Sequence, residues 1–184
     1  MNELLLAVTF IAVVNPLRTR LGLPETDDGA AQRLPLLIGT TAAFGAIALL
    51  AWLSGPLLDS LEITAEYSLT AAGVVGIAAG LWVFFFSEPA SEPELEGWRS
   101  AIWPVAFPRL ITPELFVISL AIAAHQGVAD ALWPVAVALG LVVVAGLLRP
   151  GQVARRALMW SGRLLAMLLV LGGIWFVIEG IRAV

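Results

Sequence analysis

The sequence contains no cysteine, no lysine and a single histidine, His125. The absence of cysteine excludes disulfides, thiolate nucleophiles and cysteine metal sites, and one histidine does not make a histidine-based metal centre. We therefore expect no metal and no cofactor. Charged residues are also scarce, at 13% of the chain, and the formal net charge of −4 disfavours nucleic acid as a partner.

Apolar residues are abundant, at 60% of the 184 residues, with a mean hydropathy of +0.94. A helix that crosses a bilayer needs about 20 largely apolar residues, and the sequence contains six such stretches with short polar connections. This pattern predicts an all-α integral membrane protein, with residues 1–184 forming one membrane domain in contact with the lipid bilayer. The start, MNELLLAV, has no basic segment and no cleavage site, so we expect a retained first helix.

The most informative apolar stretch, residues 103–125, is interrupted at its centre by Thr112-Pro113-Glu114. These residues are an N-cap hydroxyl, a proline suited to the first helical position and a first-turn carboxylate, so a helix is predicted to begin here. A break within a bilayer leaves backbone N–H groups unpaired, which is tolerated only where they face protein or a polar cavity. The break therefore predicts a functional site.

The first apolar stretch has a similar interruption at Asn15-Pro16, again a capping side chain followed by proline. It follows roughly 16 Å of helix, about half of a bilayer core, so this break is predicted near the midplane like the other. Residues 17–24 either continue as an arginine-bearing half-helix or form a loop. Two half-helix N-termini near the midplane would attract a carboxylate or a phosphate.

The other spanning helices are predicted from apolar runs bounded by turn residues. Gly55-Pro56 is expected to end the second helix, an acidic segment at residues 87–97 separates the third from the fourth, and a basic loop precedes the last. Gly73, Gly76 and Gly80 give the third helix a small-residue face, which suits packing inside the bundle or a homo-oligomer contact. The predicted ranges are 34–53, 65–86, 131–148 and 160–181.

The two halves of the chain, residues 1–97 and 98–184, match weakly but in register, with offsets of 92, 94 and 93 residues. Three helices per half is an odd number, so the halves must lie inverted relative to each other in the membrane. The predicted fold is therefore six transmembrane helices in two inverted three-helix repeats, with the first and fourth helices broken near the midplane. The matched segments are 14–16 with 106–108, 54–56 with 148–150, and 79–84 with 172–177.

The arginines are concentrated on one side of this predicted topology. With the N-terminus outside the cell, the inner connections hold most of them, the outer connections hold none, and only Arg182 lies outside. The positive-inside rule therefore predicts a multi-pass protein with both termini outside. The inner arginines are Arg18, Arg20, Arg33, Arg99, Arg149, Arg155, Arg156 and Arg163.

Two stretches, FIAVVNPLRTRLGLP at residues 10–24 and WPVAFPRLITPE at 103–114, resemble the MarC family, small prokaryotic membrane proteins placed with the LysE-type transporters. In that family the first helix carries Asn-Pro-x-Gly-x-x-Pro, which Asn15-Pro16 matches, with Arg18 in place of the glycine. The fourth carries a proline followed five residues later by Gly-Pro-Gly, and Pro108 with Pro113 keeps this spacing. The resemblance implies a prokaryotic plasma membrane and transport or export of small molecules, neutral amino acids among them.

Glu114 is the first candidate for chemistry, because a carboxylate inside a bilayer usually faces a cavity, forms a pair or relays protons. We interpret it either as a substrate-binding, proton-coupling residue or as a helix cap paired permanently with an arginine. Arg18 and Arg109 either bind a substrate carboxylate or phosphate or extend to the inner headgroups, and extension is favoured for Arg20. The predicted substrate-binding residues are Asn15, Pro16, Arg18, Arg109, Thr112, Pro113 and Glu114.

Together these features predict a secondary transporter or exporter that works by alternating access, with protons coupled through Glu114. The expected solute is a neutral amino acid or a small carboxylate-bearing metabolite. The alternative is a non-enzymatic membrane subunit or lipid-handling protein that binds a phosphorylated lipid headgroup. An enzyme is not expected, because the sequence has no nucleophile–base constellation and no HExxH motif.

Overall fold

The structure, a computed structural model, describes residues 3–21, 29–86, 110–147 and 152–183, the side chains of 29–33 and 152–155 excepted. The regular elements within these residues are α-helices. They are α1 (Glu3–Val14), α2 (Pro16–Leu21), α3 (Gly29–Trp52), α4 (Ser54–Ser60), α5 (Ala65–Phe86), α6 (Pro113–Gln126), α7 (Val128–Leu147) and α8 (Gln152–Ala183). Arg109 and the acidic segment at residues 87–97 lie outside the described residues.

Within the described residues, five stretches are long and apolar enough to cross a bilayer. Large apolar side chains such as Trp82 and Leu164 are exposed on the outward faces of these helices. Because such a surface is stable in lipid and not in water, the chain is an all-helical, multi-pass membrane protein. The five stretches are Glu3–Leu21, Leu34–Trp52, Ala65–Phe86, Val128–Leu147 and Arg156–Ala183.

The sixth predicted span begins outside the described residues. Its described part, α6, has 14 residues. At 1.5 Å per residue α6 is about 21 Å long, shorter than the roughly 30 Å core of a bilayer. A sixth crossing therefore stays a prediction.

The helix boundaries agree with the sequence prediction for α5, whose predicted and observed ranges are the same. The last helix begins earlier than predicted, at Gln152 and not near residue 160, so Arg155 and Arg156 belong to α8 and not to a basic loop. The reason is local composition. No glycine or proline lies between Gln152 and Trp160, and the alanine, arginine, leucine and methionine found there all favour helix.

The prediction that Gly55-Pro56 ends the second helix is also wrong in detail. Helix α3 ends at Trp52, and Gly55 and Pro56 lie in the first turn of the short helix α4. Proline is accommodated there because N–H groups in the first turn of a helix have no partner within that helix.

The helices α1 and α6 occupy the interior of the bundle. Helix α1 packs against α7 and α8, and α6 packs against α5, α7 and α3. Around them, α5 packs along α8 and α3 along α7. The side chains of Phe10 on α1 and of Ile118 and Ile122 on α6 are fully buried. The two helices with predicted breaks are therefore enclosed by protein, as interrupted backbone within a bilayer requires.

The contact between α5 and α8 is built from glycine and alanine. A Cβ atom added to Gly73 would lie 2.5 Å from the carbonyl oxygen of Gly173, and one added to Gly80 would lie 2.7 Å from that of Ala166. The two backbones thus touch with no side chain between them, which is how small residues let membrane helices approach closely. The face predicted from Gly73, Gly76 and Gly80 is used for packing within the chain.

Helix α5 runs antiparallel to α6 and α8. Glu66 in its first turn interacts electrostatically with His125 at the end of α6. Near the other end of α5, Val83 lines a cavity together with Gly162 and Arg163 of α8. We call the end of the bundle at which α5 finishes the arginine end. Among the arginines whose side chains the structure describes, those at this end are Arg18, Arg20, Arg156 and Arg163.

Candidate functional site

A single residue, Asn15, separates α1 from α2. Its backbone is left-handed, with φ of 45°, a conformation that asparagine tolerates better than most residues. Asn15 Oδ1 accepts a hydrogen bond from the backbone N–H of Arg18 at 3.2 Å, and Asn15 Nδ2 donates to the carbonyl oxygen of Gly162 at 2.8 Å. The predicted cap is present, with Pro16 as the first residue of α2, and the same side chain ties the break to α8.

We expect Asn15→Ala to lower the free energy of unfolding by about 3 kcal/mol, because it removes one buried and one partly buried hydrogen bond and places alanine in a left-handed conformation. Asn15→Gly removes the same hydrogen bonds but suits the positive φ, so the expected loss is about 2 kcal/mol. Thermal unfolding of both variants in detergent measures the difference. Equal stability of Asn15→Ala and the native chain would contradict the structural role of this side chain.

The second predicted break is also a helix start. Thr112 is extended, with φ of −101° and ψ of 153°, and its Oγ1 accepts a hydrogen bond from the N–H of Leu115 at 3.3 Å. Pro113 is the first residue of α6, and the partly buried Glu114 follows in the first turn. The positive end of the helix dipole stabilises a carboxylate at this position. The Thr112 hydroxyl therefore caps the backbone, which was one of the two roles open to it.

The two breaks bring Arg18 and Glu114 close enough to attract each other electrostatically. Within the described part of the chain, neither side chain forms a direct ion pair or a hydrogen bond. One interpretation of Glu114 was a helix cap paired permanently with an arginine. Arg18 is not that arginine. The donors of the Arg18 guanidinium and the acceptors of the Glu114 carboxylate therefore have no side-chain partner among the described residues.

Both breaks lie towards the arginine end of the bundle. Thr9 packs on Gly172, whose neighbour Gly173 contacts the middle of α5. Asn15 lies six residues further along, about 9 Å towards the arginine end. A midplane position for Asn15-Pro16 stays a prediction.

The α6 break is displaced in the same direction. Ile118 would contact a Cβ atom added to Gly76, near the middle of α5, at 3.5 Å. Pro113 lies five residues earlier on α6, about 8 Å from the middle of the span. Since α6 is antiparallel to α5, this displacement is also towards the arginine end. Both breaks therefore lie on the same side of the bundle centre, which is where Arg18 and Glu114 attract each other.

A small cavity opens beside Arg18. Its volume is ≈ 20 Å³, enough for one water molecule, and it is open on one side. Arg18, Gly162 and Arg163 provide its polar lining, and apolar side chains from α2, α5 and α8 provide the rest. Because Gly162 is the residue that Asn15 holds, the first break forms one wall of this cavity.

Arg163 is a site residue that the sequence analysis missed, because it was assigned to an inner connection. Its guanidinium carbon lies 5.3 Å from the centre of the Trp160 ring, within the range of a cation–π interaction. The available signal was the spacing of three residues between Trp160 and Arg163, which places both on one helical face.

Arg20 departs from the prediction as well. Extension to the headgroups is favoured by sequence, yet Arg20 is only 3% exposed and is not without a partner. The reason is that α2 continues as a helix after the break and packs against α7 and α8, which directs this side chain into the bundle. Of the two options for residues 17–24, the half-helix is therefore observed as far as Leu21.

Six of the seven predicted binding residues lie at the two breaks, and Arg109 lies outside the described residues. The six are Asn15, Pro16, Arg18, Thr112, Pro113 and Glu114. In the part of the chain that the structure describes, no group of three or more histidine, aspartate or glutamate side chains is placed to hold a metal ion. The chemistry available here is thus the binding of charged groups by Arg18, Arg163 and Glu114.

No known protein family matches the chain, and no curated protein or solved structure is significantly similar to it. The resemblance to the MarC family therefore stays a prediction that depends on the two short motifs alone.

Proposed function

We propose that this chain is a secondary transporter of a small solute that carries a carboxylate, and that a neutral amino acid fits the site best. The observation that carries the proposal is the meeting of Arg18 and Glu114 at two helix breaks without a direct ion pair. A neutral amino acid carries one positive and one negative charge. The Arg18 guanidinium would bind its carboxylate through a fork of donors, and the Glu114 carboxylate would bind its ammonium group.

The energetics of burial support the same assignment. Charged side chains within a bilayer are costly, and they persist where they pair with each other or with a solute in a cavity. The cavity beside Arg18, at ≈ 20 Å³, holds one water molecule and not an amino acid. Solute binding therefore requires the helices around the breaks to separate, which is the motion that alternating access supplies.

Contacts between α5 and α8 are compatible with the inverted repeat that alternating access commonly uses, as those of any antiparallel helix pair in contact every seven residues are. If each residue of the first half is exchanged with the residue 93 positions later, which is the repeat offset for these two helices, one contact of the interface becomes another. Such exchange is expected when two antiparallel helices are related by a two-fold axis in the membrane plane. The exchanged contacts are Gly73–Gly173 with Ala166–Gly80, and Ile77–Gly173 with Val170–Gly80.

The remaining parts of the proposal follow from the sequence. They are a sixth span completed by residues before α6, membership of a MarC-like group, and a prokaryotic plasma membrane with both termini outside. The arginine end supports this orientation, because positively charged residues favour the cytoplasmic side. Helix α1 would then begin on the outer side, and helix α8 would end there.

Flux of labelled neutral amino acids into proteoliposomes, with and without an inward proton gradient, tests transport and its coupling. We expect gradient-driven flux from the native chain. Glu114→Gln removes the proton acceptor and the ammonium partner, so we expect its flux to fall about tenfold and to lose its response to the gradient. The matched control is Glu179→Gln, which removes a partly buried carboxylate near the other end of α8.

The possible results separate the parts of the proposal. No flux from folded native protein would overturn transport of amino acids by this chain. Flux that ignores the gradient in the native protein would keep transport and overturn coupling through protons. An equal loss of flux in Glu114→Gln and Glu179→Gln would show that the effect is not specific to Glu114, and would contradict its proposed role.

A further inference from the structure

Arg163 is a second guanidinium on the cavity beside Arg18, and the proposed transport step does not use it. Its Nε atom is buried, and no acceptor in the described part of the chain binds it. A charged donor buried without an acceptor costs more than an ordinary lost hydrogen bond. The position of this atom therefore calls for an acceptor in the cavity.

The charge around the cavity gives the sign of that acceptor. Arg18 and Arg163 both line it, and none of the described residues that line it is acidic. Glu114 attracts Arg18, but a single carboxylate does not balance two guanidinium groups. Two like charges on one small cavity of low dielectric favour an anion between them.

The geometry of Arg163 also suits recognition of oxygen atoms. The guanidinium carbon lies over the Trp160 ring, 5.3 Å from its centre, and this cation–π interaction limits the positions that the group can take. A planar guanidinium presents Nε and Nη donors side by side, and this fork matches two oxygens of a phosphate or carboxylate. Gly162, the residue before Arg163, lines the same cavity.

We propose that Arg18 and Arg163 form an oxyanion subsite, which binds a phosphate or carboxylate group between the two guanidinium groups. The inference extends the proposed function, since the subsite shares Arg18 with the transport site. The oxyanion has two sources, a free anion or the headgroup of an acidic phospholipid. A lipid headgroup can approach the cavity from the outer surface of the bundle. Trp160 and Met159 lie next to the cavity and are 59% and 37% exposed on that surface.

Binding of inorganic phosphate to the full chain in detergent tests the subsite without any measurement of flux. Tryptophan fluorescence reports it, because an anion that draws Arg163 away changes the surroundings of Trp160, and Trp160→Phe identifies the signal. We expect Arg163→Gln to weaken phosphate binding at least about tenfold, the equivalent of one charge-assisted hydrogen bond. Arg163→Lys keeps the charge but loses the fork, so it should also weaken binding. The matched control is Arg156→Gln, an exposed arginine on the same helix, which should bind phosphate like the native chain.

A second arm distinguishes the source of the oxyanion. The native chain and Arg163→Gln are transferred to nanodiscs of equal parts phosphatidylglycerol and phosphatidylcholine, and retained lipid is counted by native mass spectrometry. Retention of phosphatidylglycerol that depends on Arg163, without binding of free phosphate, would support the subsite and assign it to a lipid headgroup. Binding of free phosphate that depends on Arg163 would support it with a soluble anion.

The proposal is overturned if Arg163→Gln and Arg163→Lys, shown to be folded by thermal unfolding, bind phosphate and phosphatidylglycerol as the native chain does. An equal loss in Arg156→Gln would also overturn it, because binding would then reflect only the overall charge of the arginine end. The amino acid flux of Glu114→Gln is independent of these results. Failure of the subsite and failure of the transport proposal are therefore distinguishable.

Discussion

Gly173→Ala is expected to lower the melting temperature of the chain in detergent by about 10 °C, through a loss of about 3 kcal/mol. A Cβ atom at this position would lie 2.6 Å from the carbonyl oxygen of Gly73 and 2.9 Å from the backbone nitrogen of Ile77. These are backbone atoms of α5, so they can move away only if the two helices separate along their length. Separation would remove the close backbone contact that small residues provide, and no new interaction replaces it.

The matched control is Gly140→Ala on α7, where an added Cβ atom has nothing within 4 Å. Alanine favours helix over glycine, so this variant should be at least as stable as the native chain. Thermal unfolding followed by circular dichroism measures both variants. If Gly173→Ala and Gly140→Ala had the same melting temperature, the close approach of α5 and α8 would be refuted.

The same interface offers an internal check on the inverted repeat. The proposed exchange of the two halves converts the Gly73–Gly173 contact into the Ala166–Gly80 contact, so Gly80→Ala occupies the equivalent position. In that proposal Gly80 and Gly173 are repeat partners, and a Cβ atom added to either would lie 2.7 or 2.6 Å from a backbone carbonyl oxygen of the other helix. This steric restriction arises from packing between residues far apart in sequence, and sequence alone predicted only that the glycine face suits close contact.

Local signals explain what the sequence predicted correctly. The Thr112-Pro113 helix start and the Asn15 cap are each encoded within four residues, by a side chain that bonds a nearby N–H and a proline with a preset φ. The ends of α5 were predicted in the same way, from an apolar run with a defined beginning and end.

Long-range contacts explain what the sequence did not predict. The hydrogen bond from Asn15 to Gly162 joins residues 147 positions apart, and no local sequence pattern near either residue predicts it. The depth of the breaks also depends on where α1 lies against α8, which no count of residues from the N-terminus provides. Arg163 was overlooked for the same reason, because an arginine near the end of a spanning helix usually extends to the headgroups.

Arg18→Gln is expected to reduce amino acid flux by about 100-fold, because it removes the forked donor proposed to bind the solute carboxylate, and loss of one partner of a charge-assisted contact typically costs about 2–5 kcal/mol. The loss should arise mainly from the solute carboxylate, which no longer finds a forked donor, and partly from Glu114, which loses its positive neighbour. Proteoliposome flux measures the effect. Arg156→Gln, an exposed arginine on α8, is the control and should leave flux unchanged.

The exchange of the two charges distinguishes a binding site from a structural pair. If Arg18 and Glu114 served only to attract each other, the double variant Arg18→Glu with Glu114→Arg would recover both stability and flux, because attraction is symmetric. A solute held by both groups is not symmetric, since its carboxylate and ammonium project from one carbon atom in a fixed order towards helices α2 and α6. We therefore expect the double variant to melt near the native temperature while its flux stays about 100-fold low. Recovery of flux would show that the pair is structural, and the solute site would then have to be sought elsewhere in the bundle.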